Sequence, residues 1–162
     1  MDERVVISSG PLIAHARMDA LKILAELPYK CFTPSEVHKE LRSGPRDLLY
    51  DNFPASVEIC ELSLPRIDDL FDHLDLGEAA VIQLAISEKI SLVCIDEVKG
   101  RRFAMQRGLR LMGSLGLLGR SKVLGIIDQI SPFVARALAS GIYYDARLVR
   151  TTLEQFGETW PE

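Results

Sequence analysis

Residues 77–97 read GEAAVIQLAISEKISLVCIDE. From Gly77 to Glu88, the residues Ala79, Val81, Ile82, Leu84, Ala85 and Ile86 recur at helical spacing. Ser91 to Ile95 is then a continuous apolar run, which suits a central strand of a parallel sheet covered on both faces. The run stops at Asp96 and Glu97. In an open parallel sheet, ligands bind beyond the carboxyl ends of the strands, so the polar residues that follow a strand are the first candidates for a site.

The pattern repeats on both sides of this stretch. Val5-Val6-Ile7 reads as a buried strand, followed by Ser8 and Ser9, with Pro11 suited to a first helical turn. Leu12, Ala16, Ala20, Ile23, Leu24 and Leu27 predict one helix up to Pro28. Cys31-Phe32 predicts a second short strand, and Thr33 or Ser35 a cap for a helix through Leu41. Residues 43–55 hold turn formers and a short helix. Val57 to Leu62 alternates as a strand does, and Pro65 to Leu74 reads as a helix or helical turn. A helix over 96–107, a strand over 109–112 and helices over 114–124, 131–139 and 145–156 complete the chain. Strands alternating with helices give an α/β domain with a mostly parallel sheet flanked by helices.

The 162 residues are 48% apolar and 26% charged, which excludes a disordered or collagen-like chain. They predict a single domain over 1–162, with the helices of about 129–157 packed on it. Cys31, Cys60 and Cys94 are odd in number and widely spaced, as free thiols of a reducing cytoplasm would be. The first residues do not read as a signal peptide, and no run of about 18 apolar residues predicts a membrane span. There is no G-x-G-x-x-G, P-loop, nucleophile elbow or H-E-x-x-H, and His15, His38 and His73 have no zinc spacing.

The net charge is −4, but it is unevenly spread. Val98 to Ile127 holds seven of the 19 basic residues (Lys99, Arg101, Arg102, Arg107, Arg110, Arg120 and Lys122) and none of the 23 acids. Such a block is either a phosphate-binding face or a solvated surface paired with acids from elsewhere. Asp96 and Glu97 follow one strand; Glu40 sits near the end of the 34–41 helix; Glu78, just after Asp75, opens another. Carboxylates converging from separate elements suit Mg²⁺ or Mn²⁺, which can align a water for attack on a phosphodiester. The other reading is that acids at helix starts serve as caps.

Five short motifs, in order, carry a resemblance. They are Ser8-Ser9-Gly10-Pro11-Leu12-Ile13; Pro34 with Val37-His38-Lys39-Glu40-Leu41; Leu74-Asp75-Leu76-Gly77-Glu78-Ala79 through Ala85; Ile95-Asp96-Glu97 with Gly100-Arg101 and Ala104; and Gly108 to Gly116. Over nearly its whole length the chain resembles the DUF3368 family of PIN-like proteins. The resemblance implies a three-layer PIN-like fold and an Mg²⁺- or Mn²⁺-dependent ribonuclease of toxin–antitoxin type. It assigns Glu40, Glu78 and Asp96 as catalytic and metal-binding acids, with Glu97 or Asp75 in support. Lys99, Arg101 and Arg102 would contact nucleic acid. RNA, an antitoxin protein and a second copy of the chain are the partners it implies. Where the family has its first aspartate, this chain has Ser8, a neutral residue that could only hold a metal-bound water. The alternative is therefore a PIN-like protein that binds RNA or a protein partner without cutting.

Overall fold

A computed structural model describes residues 3–44, 49 and 52–160. β1 (Glu3–Ile7) forms because Val5, Val6 and Ile7 are wholly buried, with parallel strands on either side. The chain then adds β2 (Tyr29–Pro34) and β3 (Val57–Cys60) on one side of β1. It returns to place β4 (Leu92–Cys94) and β5 (Arg110–Met112) on the other. The order is β3-β2-β1-β4-β5, parallel throughout. The connections turn outward in opposite directions from β1 and β4, so their carboxyl ends flank the switch point at which such sheets open a crevice.

Among the described residues nine helices flank the sheet. α5 (Leu76–Ser87) crosses β2, β1 and β4, with α3 (Ser35–Ser43), α4 (Asp68–His73) and α6 (Val98–Gln106) packed against it. α1 (Ser9–Arg17) packs on α7 (Ser114–Val123) and α8 (Ser131–Ala139), and α9 (Ala146–Gln155) on α7. This is the parallel α/β arrangement that the strand and helix pattern predicts, in the three layers that the resemblance implies. No helix is long and apolar enough to cross a membrane among the described residues.

Two local readings change. The helix expected over 12–27 is two helices, α1 and the short α2 (Ile23–Glu26). Asp19 takes a left-handed conformation (φ 58°) between them, which Asp tolerates better than most residues. Ala20 then returns its N–H to His15 O at 2.8 Å. The apolar spacing runs on because Met18, Ala20, Ile23 and Leu24 are all buried on either side of the turn. Neither Thr33 nor Ser35 caps α3. Pro34 is at the N-cap, Thr33 Oγ1 donates to Ile7 O at 2.8 Å, and Ser35 donates to Glu36 and Glu61. The short helix expected within 43–55 falls largely outside the described residues.

Parallel topology also divides the basic block. Arg110 opens β5 at the amino edge of the sheet and pairs there with Glu3 at 2.7 Å. Arg107 ends α6 and pairs with Asp69 at 3.1 Å. α7 starts at the carboxyl edge and runs about 15 Å away from it. Arg120 and Lys122 sit in its last turn, and Lys122 pairs with Glu158 at 2.8 Å. Only Lys99, Arg101 and Arg102 stay near the carboxyl edge; Arg107, Arg110 and Lys122 pair with acids from elsewhere, and Arg120 is exposed at the far end of α7.

Candidate functional site

Ser8 follows β1 and is 3% exposed. Its N–H donates to Cys94 O at 3.0 Å, which locks the end of β1 to the end of β4. Ser8 is also the N-cap of α1, but its hydroxyl makes no capping bond.

On one flank, four carboxyls press on one another. Asp75 caps α5 by accepting the Glu78 N–H at 2.9 Å, a short acidic side chain being the preferred acceptor for those free donors. That cap brings Glu78 to the first turn, where it is nearly buried (9% exposed). Burial pushes the Glu78 carboxyl up to about 8, and the nearby charges of Asp75, Glu97 and Glu40 push the same way. Glu97 caps α6, accepting N–H bonds from Lys99 at 3.0 Å and Gly100 at 2.7 Å. Burial pushes Glu97 upward, but the two backbone donors and a hydrogen bond from Glu78 hold it below the usual carboxylate range. The two neighbours are thus pushed in opposite directions, Glu78 up and Glu97 down. Glu40, exposed on α3, is raised by burial and by Asp75, and a hydrogen bond with the Ser9 side chain works against that rise.

On the other flank, Asp96 Oδ1 accepts the Ser114 N–H at 2.7 Å at the start of α7. Gly113 makes this approach possible, since a β-carbon there would lie 2.8 Å from Asp96 Oδ1. The Ser114 hydroxyl bonds to Tyr144 OH, whose own ionisation is pushed up mainly by burial. His15 is fully buried nearby. Its Nδ1 lies 3.1 Å from Pro11 O, and its Nε2 has no hydrogen-bond partner among the described residues. Burial lowers its pKa against the opposing pull of Asp96.

The residues singled out from the sequence thus fall into groups. Glu40, Asp75, Glu78 and Glu97 interact with one another; Asp96 is tied instead to α7. Arg101 is folded inward, donating from Nη1 to Ile95 O at 2.6 Å, while Lys99 and Arg102 are exposed on α6. Among the described residues no three His, Cys, Asp or Glu side chains are arranged as a ligand set for a metal ion. The chemistry of the donors does suit a hard divalent cation. All are carboxylates, and the mutual repulsion that helps push Glu78 up is what a cation between them would relieve. Sequence reasoning missed Ser9 as the residue bonded to Glu40. The two short glycine approaches, Gly77 to Glu40 and Gly113 to Asp96, also went unread.

A protein-family model, DUF3368, which describes a PIN domain, matches residues 4–158. No curated protein matches the chain.

Proposed function

Because the chain belongs to the DUF3368 family of PIN domains, we propose that it is an Mg²⁺- or Mn²⁺-dependent ribonuclease of toxin–antitoxin type. PIN domains are generally nucleases that use divalent metal ions. The observation that carries the reading is the convergence of Glu40, Asp75, Glu78 and Glu97 from three helix starts and ends beside the switch point of the sheet, close enough to push the Glu78 carboxyl up to about 8. Carboxyls that converge this closely from separate elements suit a hard divalent cation.

Glu40, Glu78 and Asp96 would hold the ion, with Glu97 or Asp75 in support. When bound, it supplies a Lewis acid and a water of lowered pKa for phosphodiester hydrolysis. The chain's own residues do the rest. Asp96 is fixed by Ser114 N–H, Glu78 gives up its proton, and Lys99, Arg101 and Arg102 approach the RNA phosphates from α6. Ser8 would hold a water in place of the missing carboxylate. The protein acts in the cytoplasm as one domain, restrained by an antitoxin protein or paired with a second copy.

A second reading, RNA or protein binding without cleavage, is favoured by one observation, the neutral Ser8 at the end of β1. Calorimetric titration with Mn²⁺ and a labelled-RNA cleavage assay test both. Wild type should bind Mn²⁺ and cut, while Glu40→Gln and Asp96→Asn should each weaken Mn²⁺ binding by roughly tenfold or more. Unchanged cleavage in those variants refutes the site. Absent cleavage with intact RNA binding in the wild type leaves the second reading.

A further inference from the structure

Beyond Glu40 and Asp75, on the side away from α6, lies a cavity of about 580 Å³. Its walls include Glu36 and Lys39 of α3, Arg66 of the loop before α4, and Leu76 at the start of α5. That is room for one nucleotide. Lys39 and Arg66 are exposed, and Leu76 is 50% exposed, an apolar surface beside two cations.

Arg66 is presented by a built loop. Gln83 of α5 is 1% exposed, and its amide is spent on that loop alone. Nε2 donates to Ser63 O at 2.9 Å and Pro65 O at 3.3 Å, and Oε1 accepts the Ile67 N–H at 2.7 Å. A buried amide with its partners satisfied fixes the backbone it grips. The Arg66 guanidinium lies 4.7 Å from the centre of the Phe71 ring, which orients it further. Of the acids in the walls, Glu40 and Asp75 belong to the candidate site, and Glu36 accepts from Ser35.

The sheet order places this cavity opposite the α6 cations. α3 follows β2 and α6 follows β4, and β2 and β4 are the two neighbours of β1. The acids therefore lie between Lys39 and Arg66 on one flank and Lys99 and Arg102 on the other. A polyanion crossing the site meets cations on both sides of the acids.

We propose that the cavity is a nucleotide subsite for single-stranded RNA. Lys39 and Arg66 take backbone phosphates, and the base lies on Leu76 or on the guanidinium plane of Arg66. The proposal rests on the reading that the adjoining acids act on RNA.

Fluorescence anisotropy with a labelled single-stranded oligoribonucleotide, in Ca²⁺ at several salt concentrations, tests it. The double variant Lys39→Glu/Arg66→Glu should bind roughly tenfold or more weakly, with a salt slope shallower by about 2. Arg120→Glu, far down α7, should bind as wild type does. Wild-type affinity in the double variant overturns the subsite, as does an equal loss in Arg120→Glu or a wild type that binds no RNA. Circular dichroism checks folding; if the reversal unfolds the chain, Lys39→Gln/Arg66→Gln should show the same shallower slope. Cleavage in Mn²⁺ separates the two readings. A wild type that binds through Lys39 and Arg66 without cutting refutes the nuclease and leaves the subsite standing. Cutting and binding that are both indifferent to the double variant refute the subsite alone.

Discussion

Gly77 lies directly beneath Glu40: a β-carbon on Gly77 would come within 2.6 Å of Glu40 Oε2. The carboxyl of α3 therefore rests on the bare backbone of α5, among Asp75 and Glu78. Gly77→Ala separates two effects. The helix gains, because alanine gives up less chain entropy there, by up to about 1 kcal/mol. Glu40, the flexible end of an exposed side chain, is pushed aside at little cost. Unfolding temperature should hold or rise while Mn²⁺ affinity falls by roughly tenfold. A variant that keeps full Mn²⁺ affinity shows that Glu40 is no ligand.

Glu78 makes the metal-free protein less stable in alkali. Its carboxyl titrates near 8 when folded and near 4.5 when unfolded, so between those values the folded state holds more protons. Its contribution is fully present below pH 4.5 and is lost as pH rises to about 8. Glu78→Gln should remove that slope. In EDTA the wild type should lose on the order of 10 °C relative to Glu78→Gln between pH 5 and pH 9. Parallel melting curves for the two proteins would show that Glu78 is not raised.

Ser8→Asp restores a carboxylate at the end of β1. The position is 3% exposed, so a charge there without a cation is costly. The variant should melt below wild type in EDTA and above it, relative to its own EDTA value, once Mn²⁺ is added. Calorimetry should show tighter Mn²⁺ binding. Equal or weaker binding means that the end of β1 does not face the ion.

The strands were legible because buried parallel strands are continuous apolar runs, as in Leu92-Val93-Cys94. The Asp75 and Glu97 caps follow from the preference of helix starts for short acceptors and acids. The break at Asp19 was not legible, since both halves of the interrupted helix bury their apolar residues and the spacing continues through the turn. The basic block misled for a related reason. Adjacency in sequence says nothing about which edge of a parallel sheet a residue reaches, and Arg110 and Arg120 reach the far one. The grip of Gln83 on residues 63–67 depends on two elements 16–20 residues apart meeting in space, for which a lone glutamine in a helix gives no sign.

His15 offers a prediction independent of any metal. Its Nε2 is buried and unpartnered among the described residues, and an unmet polar atom costs about 1–3 kcal/mol. Burial lowers its pKa below the ordinary 6.5, so as pH falls past that value the unfolded chain takes up a proton that the folded one refuses. The stability this group allows is present above pH 6.5 and is lost on acidification, the reverse of Glu78. His15→Leu removes the orphaned atom and the titration together, and puts an apolar side chain in a fully buried position. Its melting temperature should exceed wild type by roughly 2–4 °C at pH 7 and by more at pH 5. A gain that does not grow on acidification would mean that His15 charges as easily folded as unfolded. A loss at both pH values would mean that Nε2 has a partner, and that the imidazole supports the Asp96 flank rather than burdening it.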